Sequence, residues 1–184
     1  MPAYEKALYL TFDDGPIPEV TEFVLDALEK YQAKGTFFCI GDNVRKHPHI
    51  FNKISAQGHT IGNHTFNHLN GWRTTDEDYL TNILQCDEQL PKATGLFRPP
   101  YGRIKQSQAR RILPSKKIVM WDVLTGDFSP NISPDTCFKK TVKYSRSGSI
   151  ILFHDSLKAR KNMEYALPLT LDYFKNKGYK FLPL

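Results

Sequence analysis

The feature that most constrains this chain is strict alternation. Strand-like and helix-like segments follow one another from end to end, with no internal repeat, low-complexity tract or linker between them. Residues 6–12 are apolar and end at Asp13-Asp14-Gly15-Pro16, so a strand is expected to run into a turn. Residues 21–31 put Val24, Leu25, Leu28 and Tyr31 on one helical face. Gly35 precedes a short β-rich run at 36–40. Residues 43–57 read as one helix despite Pro48, with Ile50, Phe51 and Ile54 inward and Gly58 as its stop. A strand at 59–63 follows. Residues 75–90 are helical, with Thr75 as N-cap and Asp76, Glu77 and Asp78 at the positive end of the dipole. Then come a strand at 96–98, a helix at 105–113, a strand at 117–123, a helix at 134–144 and a strand at 149–153. A helix at 162–177, stopped by Gly178, and a last strand at 179–182 close the chain.

Seven βα-like units in 184 residues leave little room for anything else. Such alternation predicts a parallel sheet with right-handed crossovers. No G-x-G-x-x-G is present, so a barrel is favoured over a dinucleotide-binding sheet. A full eight-unit barrel usually needs roughly 250 residues. The expected fold is therefore α/β: a distorted, incomplete (β/α) barrel with about seven parallel strands, TIM-barrel-like, forming one domain over residues 5–184.

Composition excludes several classes. At 40% hydrophobic and 24% charged, the chain can bury a real core and is not disordered. No apolar run approaches the roughly 20 residues of a membrane helix. The N-terminus, Met1-Pro2-Ala3-Tyr4-Glu5-Lys6, is too polar for a signal peptide. The chain as written therefore reads as cytoplasmic, or as extracellular or cell-envelope if a leader has been removed. Cys39, Cys86 and Cys137 are odd in number, widely spaced and without C-x-x-C, so ordinary buried thiols are expected. The net charge of +6 is lopsided: −5 over residues 1–92 and +11 over 93–184. The basic pairs Arg110-Arg111, Lys116-Lys117 and Lys139-Lys140 are short and lack a nucleic-acid motif, so solvated helix surfaces are expected and no nucleic-acid partner.

Polar residues out of place in this apolar background lie just after strands. Asp13-Asp14 follows the first, His64 and His68 the third, Arg98 and Tyr101 the fourth, Asp127 the fifth and His154-Asp155 the sixth. In a parallel barrel all strand C-termini share one face, where active sites sit. Adjacent Asp13 and Asp14 point differently, so one can bind a metal while the other handles protons. On a helical turn, the two histidines of His64-Thr65-Phe66-Asn67-His68 share a face about 6 Å apart and can bite one divalent ion. No Glu follows the first His, so this is not the zincin motif and the base must come from elsewhere. Two His and one Asp with open positions make a sound catalytic metal site. Arg98-Pro99-Pro100-Tyr101 is a stiff loop whose Arg can pair with a carboxylate. His154 at the mouth of an apolar strand can act as a general acid. His47, His49 and His59 are expected on the surface or in turns.

Five segments together resemble the polysaccharide deacetylases of carbohydrate esterase family 4, the NodB homology domain. They are Thr11 to Pro16, His64 to His68, Arg98 to Tyr101, Trp121 to Phe128, and Leu152-Phe153-His154-Asp155. The likeness spans residues 6–182 and implies a distorted (β/α) barrel. It implies that Asp14, His64 and His68 hold one divalent metal ion, zinc first, with cobalt or nickel as alternatives. It further implies Asp13 as general base, Arg98 as the residue pairing with it, and His154 as general acid. The Tyr101 backbone N–H would donate to the oxyanion, Leu152 would wall the acetyl methyl group, and Trp121 would lie at the substrate. The implied reaction is removal of N-acetyl groups from amino-sugar polymers or oligosaccharides, of chitooligosaccharide or peptidoglycan type, by a monomer with no membrane segment. An O-acetyl esterase on xylan-like polymers and an inactive carbohydrate-binding protein are the alternatives.

One departure stands out. Many members have Asp at the place of Leu124 and Trp at the place of Phe128. Leu124 cannot hydrogen-bond an imidazole, so either Asp127 or Asp122 supports His154, with Asp127 the preferred candidate, or His154 is less strongly polarised.

Overall fold

The computed structural model describes residues 6–90 and 94–184. Residue 5, the expected domain start, and the polar N-terminal segment before Lys6 lie outside the described residues. The sheet is built from short parallel strands: β1 (Ala7–Asp13), β2 (Gly35–Cys39), β3 (Thr60–Asn63), β4 (Leu96–Phe97), β5 (Lys117–Ile118), β6 (Val123–Leu124), β7 (Ile150–His154) and β8 (Lys180–Phe181). Seven run in the order β5-β4-β3-β2-β1-β7-β6, and β8 pairs beside the start of β1. Every pairing is parallel. The helices are α1 (Val20–Lys30), α2 (Gly41–Lys46), α3 (Pro48–Ala56), α4 (Asp76–Gln89), α5 (Gln106–Ile112), α6 (Pro134–Tyr144) and α7 (Arg160–Asn176). The result is a curled half-barrel with helices outside, as the alternation implied. No helix among the described residues is long and apolar enough to cross a membrane.

All seven residues of β1 are buried, because it is the central strand. Its period-2 alternation sends Leu8, Leu10 and Phe12 to one face, and Thr11 and Asp13 to the other. Phe12 stacks on Phe37 at 5.0 Å and on Phe153 at 6.1 Å, tying three neighbouring strands into the main core. A smaller cluster of Tyr79, Ile83, Phe97 and Ile112 lies under α4 and α5. The strands thus fix where their own C-terminal ends sit.

Two segments differ from the sequence expectation. The single helix at 43–57 is two helices, α2 and α3. His47 sits between them at φ −128, ψ 54, because a residue before proline is excluded from the helical region. Pro48 then opens α3, where its missing N–H costs nothing. The single strand at 117–123 divides into β5 and β6. β5 pairs with β4, β6 with β7, and the two do not pair with each other. This gap is the seam at which the barrel stays open.

The histidine expectation also needs one correction. His59 is buried, its Nδ1 accepting the Gly35 N–H at 3.2 Å and its ring 5.2 Å from Phe37. Burial first, and Lys34 second, push its pKa down to about 4, so it is a neutral core acceptor. The three cysteines are free and buried, and burial pushes Cys86 and Cys137 up to about 12, as inert thiols. Phe12→Ala should cost about 3–5 kcal/mol by urea unfolding with an unchanged m value. A loss below ~1 kcal/mol would show that the three-ring stack is not the centre of the core.

Candidate active site

β1 and β7 end side by side, with Asp13 and His154 as register partners. Asp13 is buried, and its Oδ1 accepts from Arg98 Nη1 at 2.8 Å. The same nitrogen donates to Thr11 Oγ1 at 2.8 Å, two residues back on the same face of the strand. Arg98 Nε and Nη2 donate to the carbonyls of Val119 and Met120, at 3.1 and 2.9 Å. These carbonyls belong to the seam between β5 and β6. The guanidinium also lies 4.1 Å from the Phe38 ring centroid and 5.8 Å from that of Trp121. Arg98 therefore serves the carboxylate and the open seam at once.

Asp14 leaves the strand at φ +89, a left-handed conformation that few non-glycine residues adopt. Its carbonyl accepts Asn43 Nδ2 at 2.7 Å. Its Oδ1 lies 3.2 Å from His68 Nε2 and 3.8 Å from His64 Nε2. The H-x-x-x-H segment is not the helical turn expected from spacing. It is an irregular loop after β3, with Thr65 at φ +63 and His68 at φ +56. Polar side chains hold it there. Asn63 Oδ1 accepts the Thr65 N–H, and Asn82 Oδ1 on α4 accepts the N–H groups of Phe66 and Asn67. These bonds replace the helical ladder and still bring the two rings to 5.1 Å.

The far side of each imidazole is engaged. His64 Nδ1 lies 2.7 Å from the Arg98 carbonyl. A carbonyl cannot donate, so Nδ1 carries a proton, and the neutral ring would present its lone pair at Nε2. His68 Nδ1 meets the Tyr101 hydroxyl at 3.1 Å. Burial, chiefly, and then the His64 charge push the His68 pKa down to about 4, so this ring is neutral near pH 7. Asp14 Oδ1 is buried and accepts no hydrogen bond, although His68 Nε2 lies so near. A buried carboxylate oxygen beside two imidazole nitrogens, with no hydrogen bond of its own, is a donor set in want of a cation. Potential ligand atoms of Asp14, His64 and His68 lie within 4.8 Å of one another. The 3.2 and 3.8 Å separations bracket the ~3.4 Å expected of tetrahedral neighbours with bonds of about 2.1 Å. These residues fit a divalent ion.

Across from this cluster, His154 Nδ1 lies 2.8 Å from Asp127 Oδ1, while Asp127 Oδ2 accepts the His154 backbone N–H at 2.7 Å. Asp127 is buried and anchored by its own carbonyl to Asn162. Burial, the largest single effect, opposes the imidazolium. The Asp127 hydrogen bond and charge, with Asp13 and Asp14 adding, outweigh it and raise the His154 pKa to about 9. Asp122 instead accepts the Ile150 N–H at the start of β7, and Leu124 is exposed on β6. The carboxylate beside His154 is that of Asp127.

Tyr101 is exposed and at φ +60. It is the one residue of Pro99-Pro100-Tyr101 with a backbone N–H. Gly102 follows at φ +66, packed so close to Trp121 that a Cβ there would lie 2.8 Å from the indole. Leu152 is buried two residues before His154, its carbonyl taken by Thr125. The sequence reading missed the supports Asn43, Asn63 and Asn82, and gave Thr11, inside its first motif, no role. Single polar residues without spacing carry no motif, and only burial reveals them.

The family described as Polysaccharide deacetylase matches residues 1–116. A peptidoglycan-N-acetylglucosamine deacetylase of Bacillus cereus is 36% identical over 99% of this chain and 88% of its own length. A chitooligosaccharide deacetylase of Azorhizobium caulinodans is 34% identical over 82% of this chain and 74% of its own. The crystal structure of a peptidoglycan N-acetylglucosamine deacetylase superposes with a TM-score of 0.93 at 34% identity, covering 100% of this chain and 88% of that one.

Asp127→Asn should lower the His154 pKa from about 9 toward its ordinary value, read by NMR titration of the ring in metal-free protein. The folded-state pKa is raised, so the stabilisation it brings is full below the unfolded value of about 6.5 and is lost as pH rises through the folded one. The stability advantage of wild type over Asp127→Asn should therefore shrink between pH 6 and pH 10 (roughly the window set by those values). An unmoved imidazole pKa would remove Asp127 from its support.

Proposed function

The chain belongs to the polysaccharide deacetylase family, and on that premise we propose that it removes N-acetyl groups from amino-sugar polymers or oligosaccharides, releasing acetate, with one divalent ion held by Asp14, His64 and His68. The observation that carries this reading is the buried, donorless Asp14 Oδ1 facing two imidazoles whose outer nitrogens are already engaged. The relatives named above, acting on peptidoglycan and on chitooligosaccharide, support the substrate class. When bound, a divalent ion supplies Lewis acidity, polarising a carbonyl and making water easier to deprotonate. Zinc suits two imidazoles and a carboxylate, as do cobalt and nickel.

The remaining chemistry belongs to the chain. An N-acetyl amide is a poor electrophile with a poor leaving group. Arg98 fixes Asp13 through Oδ1. Oδ2 stays toward the site, 3.7 Å from His64 Nε2, and takes the proton of the attacking water. The Tyr101 N–H stabilises the oxyanion, a type of contact whose removal costs roughly 3 kcal/mol. His154 uses Nδ1 on Asp127, which leaves Nε2 to protonate the departing amine. With a pKa near 9 it holds that proton at neutral pH. Asp13 and His154 sit at paired strand ends, so proton removal and delivery flank one point. Exposed Tyr101, Met120 and Leu124 around it suit an extended glycan in an open groove.

Acetate release from chitin oligomers, peptidoglycan fragments and acetylated xylan, before and after chelation and with zinc, cobalt or nickel restored, tests the reading. His64→Ala and Asp14→Ala should each abolish metal binding. Asp13→Asn should keep the metal and lose turnover by about 10²–10⁴-fold. Acetate from xylan alone would convert the reading to an O-acetyl esterase, and none from any substrate in any metal state would end it.

A further inference from the structure

The residue after His154 has no part in the chemistry above, yet it is built into the site's foundation. Asp155 is 1% exposed. Its Oδ1 accepts the Gly15 N–H at 3.0 Å, and its Oδ2 accepts the Thr21 hydroxyl at 2.7 Å. Thr21 Oγ1 in turn accepts the Ile17 N–H at 2.8 Å. The Asp155 backbone N–H donates to the Asp13 carbonyl at 3.0 Å. A Cβ at Gly15 would lie 1.9 Å from Asp155 Oδ2, so the carboxylate fills the space that any other residue there would need. The turn between Asp13 and Ile17 is therefore gripped at Asp13 and Gly15 by Asp155, just past β7, and at Ile17 by Thr21 on α1. It must hold Asp14 in a left-handed conformation that non-glycine residues seldom adopt.

We propose that Asp155 is a positioning residue: through the Gly15 N–H and the Thr21 hydroxyl it sets the turn that aims Asp13 and Asp14 into the site. This rests on the reading of Asp14 as a metal ligand and Asp13 as the base. The work is done by hydrogen-bond geometry, not by charge. An asparagine keeps the bond from Gly15 through its carbonyl but sets an amide donor where the Thr21 hydroxyl needs an acceptor, so it reproduces half of the grip. An alanine keeps neither bond.

Wild type, Asp155→Asn, Asp155→Ala and Thr21→Val are compared well below their melting temperatures. The measurements are zinc affinity by chelator competition, kcat and KM for acetate release, and exchange of the Gly15 amide by NMR. Asp155→Ala should weaken zinc binding about 10–100-fold, lower kcat more than it changes KM, and speed Gly15 exchange. Asp155→Asn, which keeps the Gly15 bond, should fall between wild type and the alanine on all three. A folded Asp155→Ala with unchanged zinc affinity and kcat, whatever its melting temperature, would overturn the proposal. So would an Asp155→Asn as impaired as the alanine. If Asp155→Ala does not fold, Thr21→Val decides: about fivefold weaker zinc binding or more supports the proposal, and less than about twofold overturns it. Wild type that binds no zinc would fail the metal reading, while Gly15 exchange, which needs no metal, would still decide the positioning.

Discussion

Arg98 carries a full positive charge with no solvent exposure, and such a charge is tolerable only when every side is matched. Its partners come from three places in the chain. Asp13 and Thr11 lie on the central strand, Val119 and Met120 supply carbonyls from the seam, and Phe38 offers its ring. Its own carbonyl then fixes the tautomer of His64. One side chain and its backbone thus connect base, open edge and metal cluster. β5 and β6 do not pair with each other, and the part-buried carbonyls of Val119 and Met120 between them need a donor. The guanidinium fork supplies two. The same residue that is implied to serve the base also makes the incomplete barrel acceptable.

The site around it is divided by environment. On one side is the imidazole of His68, kept neutral chiefly by burial. On the other is an imidazole kept charged by a buried carboxylate. Histidines in the same cleft therefore hold opposite protonation states at neutral pH. That contrast is what separates a ligand from a proton donor. A cation beside Asp14 would reinforce it, since it would disfavour protonation of His64 and His68 directly.

The fold was legible because alternation and period are properties of long runs. Strand and helix signals summed over 184 residues, and strand C-termini of a parallel sheet had to converge. What eluded the sequence was local. Pro48 split a helix because the residue before it could not stay helical. Residues 117–123 look like one strand but must change partners across a gap, which no propensity records. The H-x-x-x-H spacing suggested a helical turn, yet Asn63 and Asn82 hold it as a loop with two left-handed residues. His59 looked like a surface residue until a neighbouring strand's N–H was found on it. Leu124 broke the family pattern, and Asp127, three residues on, occupies the place beside His154. Asp155 was visible within a motif but silent, because its partners Gly15 and Thr21 are more than 130 residues away.

The proposed activity requires Asp14, His64 and His68 to form one coordination shell. X-ray absorption on protein reconstituted with one equivalent of zinc reads that shell directly. It should show one ion per chain, two imidazole nitrogens and oxygen ligands at about 2.0–2.2 Å, with acetate release regained in step with occupancy. Sulfur in the shell, absence of imidazole scattering, or full acetate release from metal-free protein would contradict it.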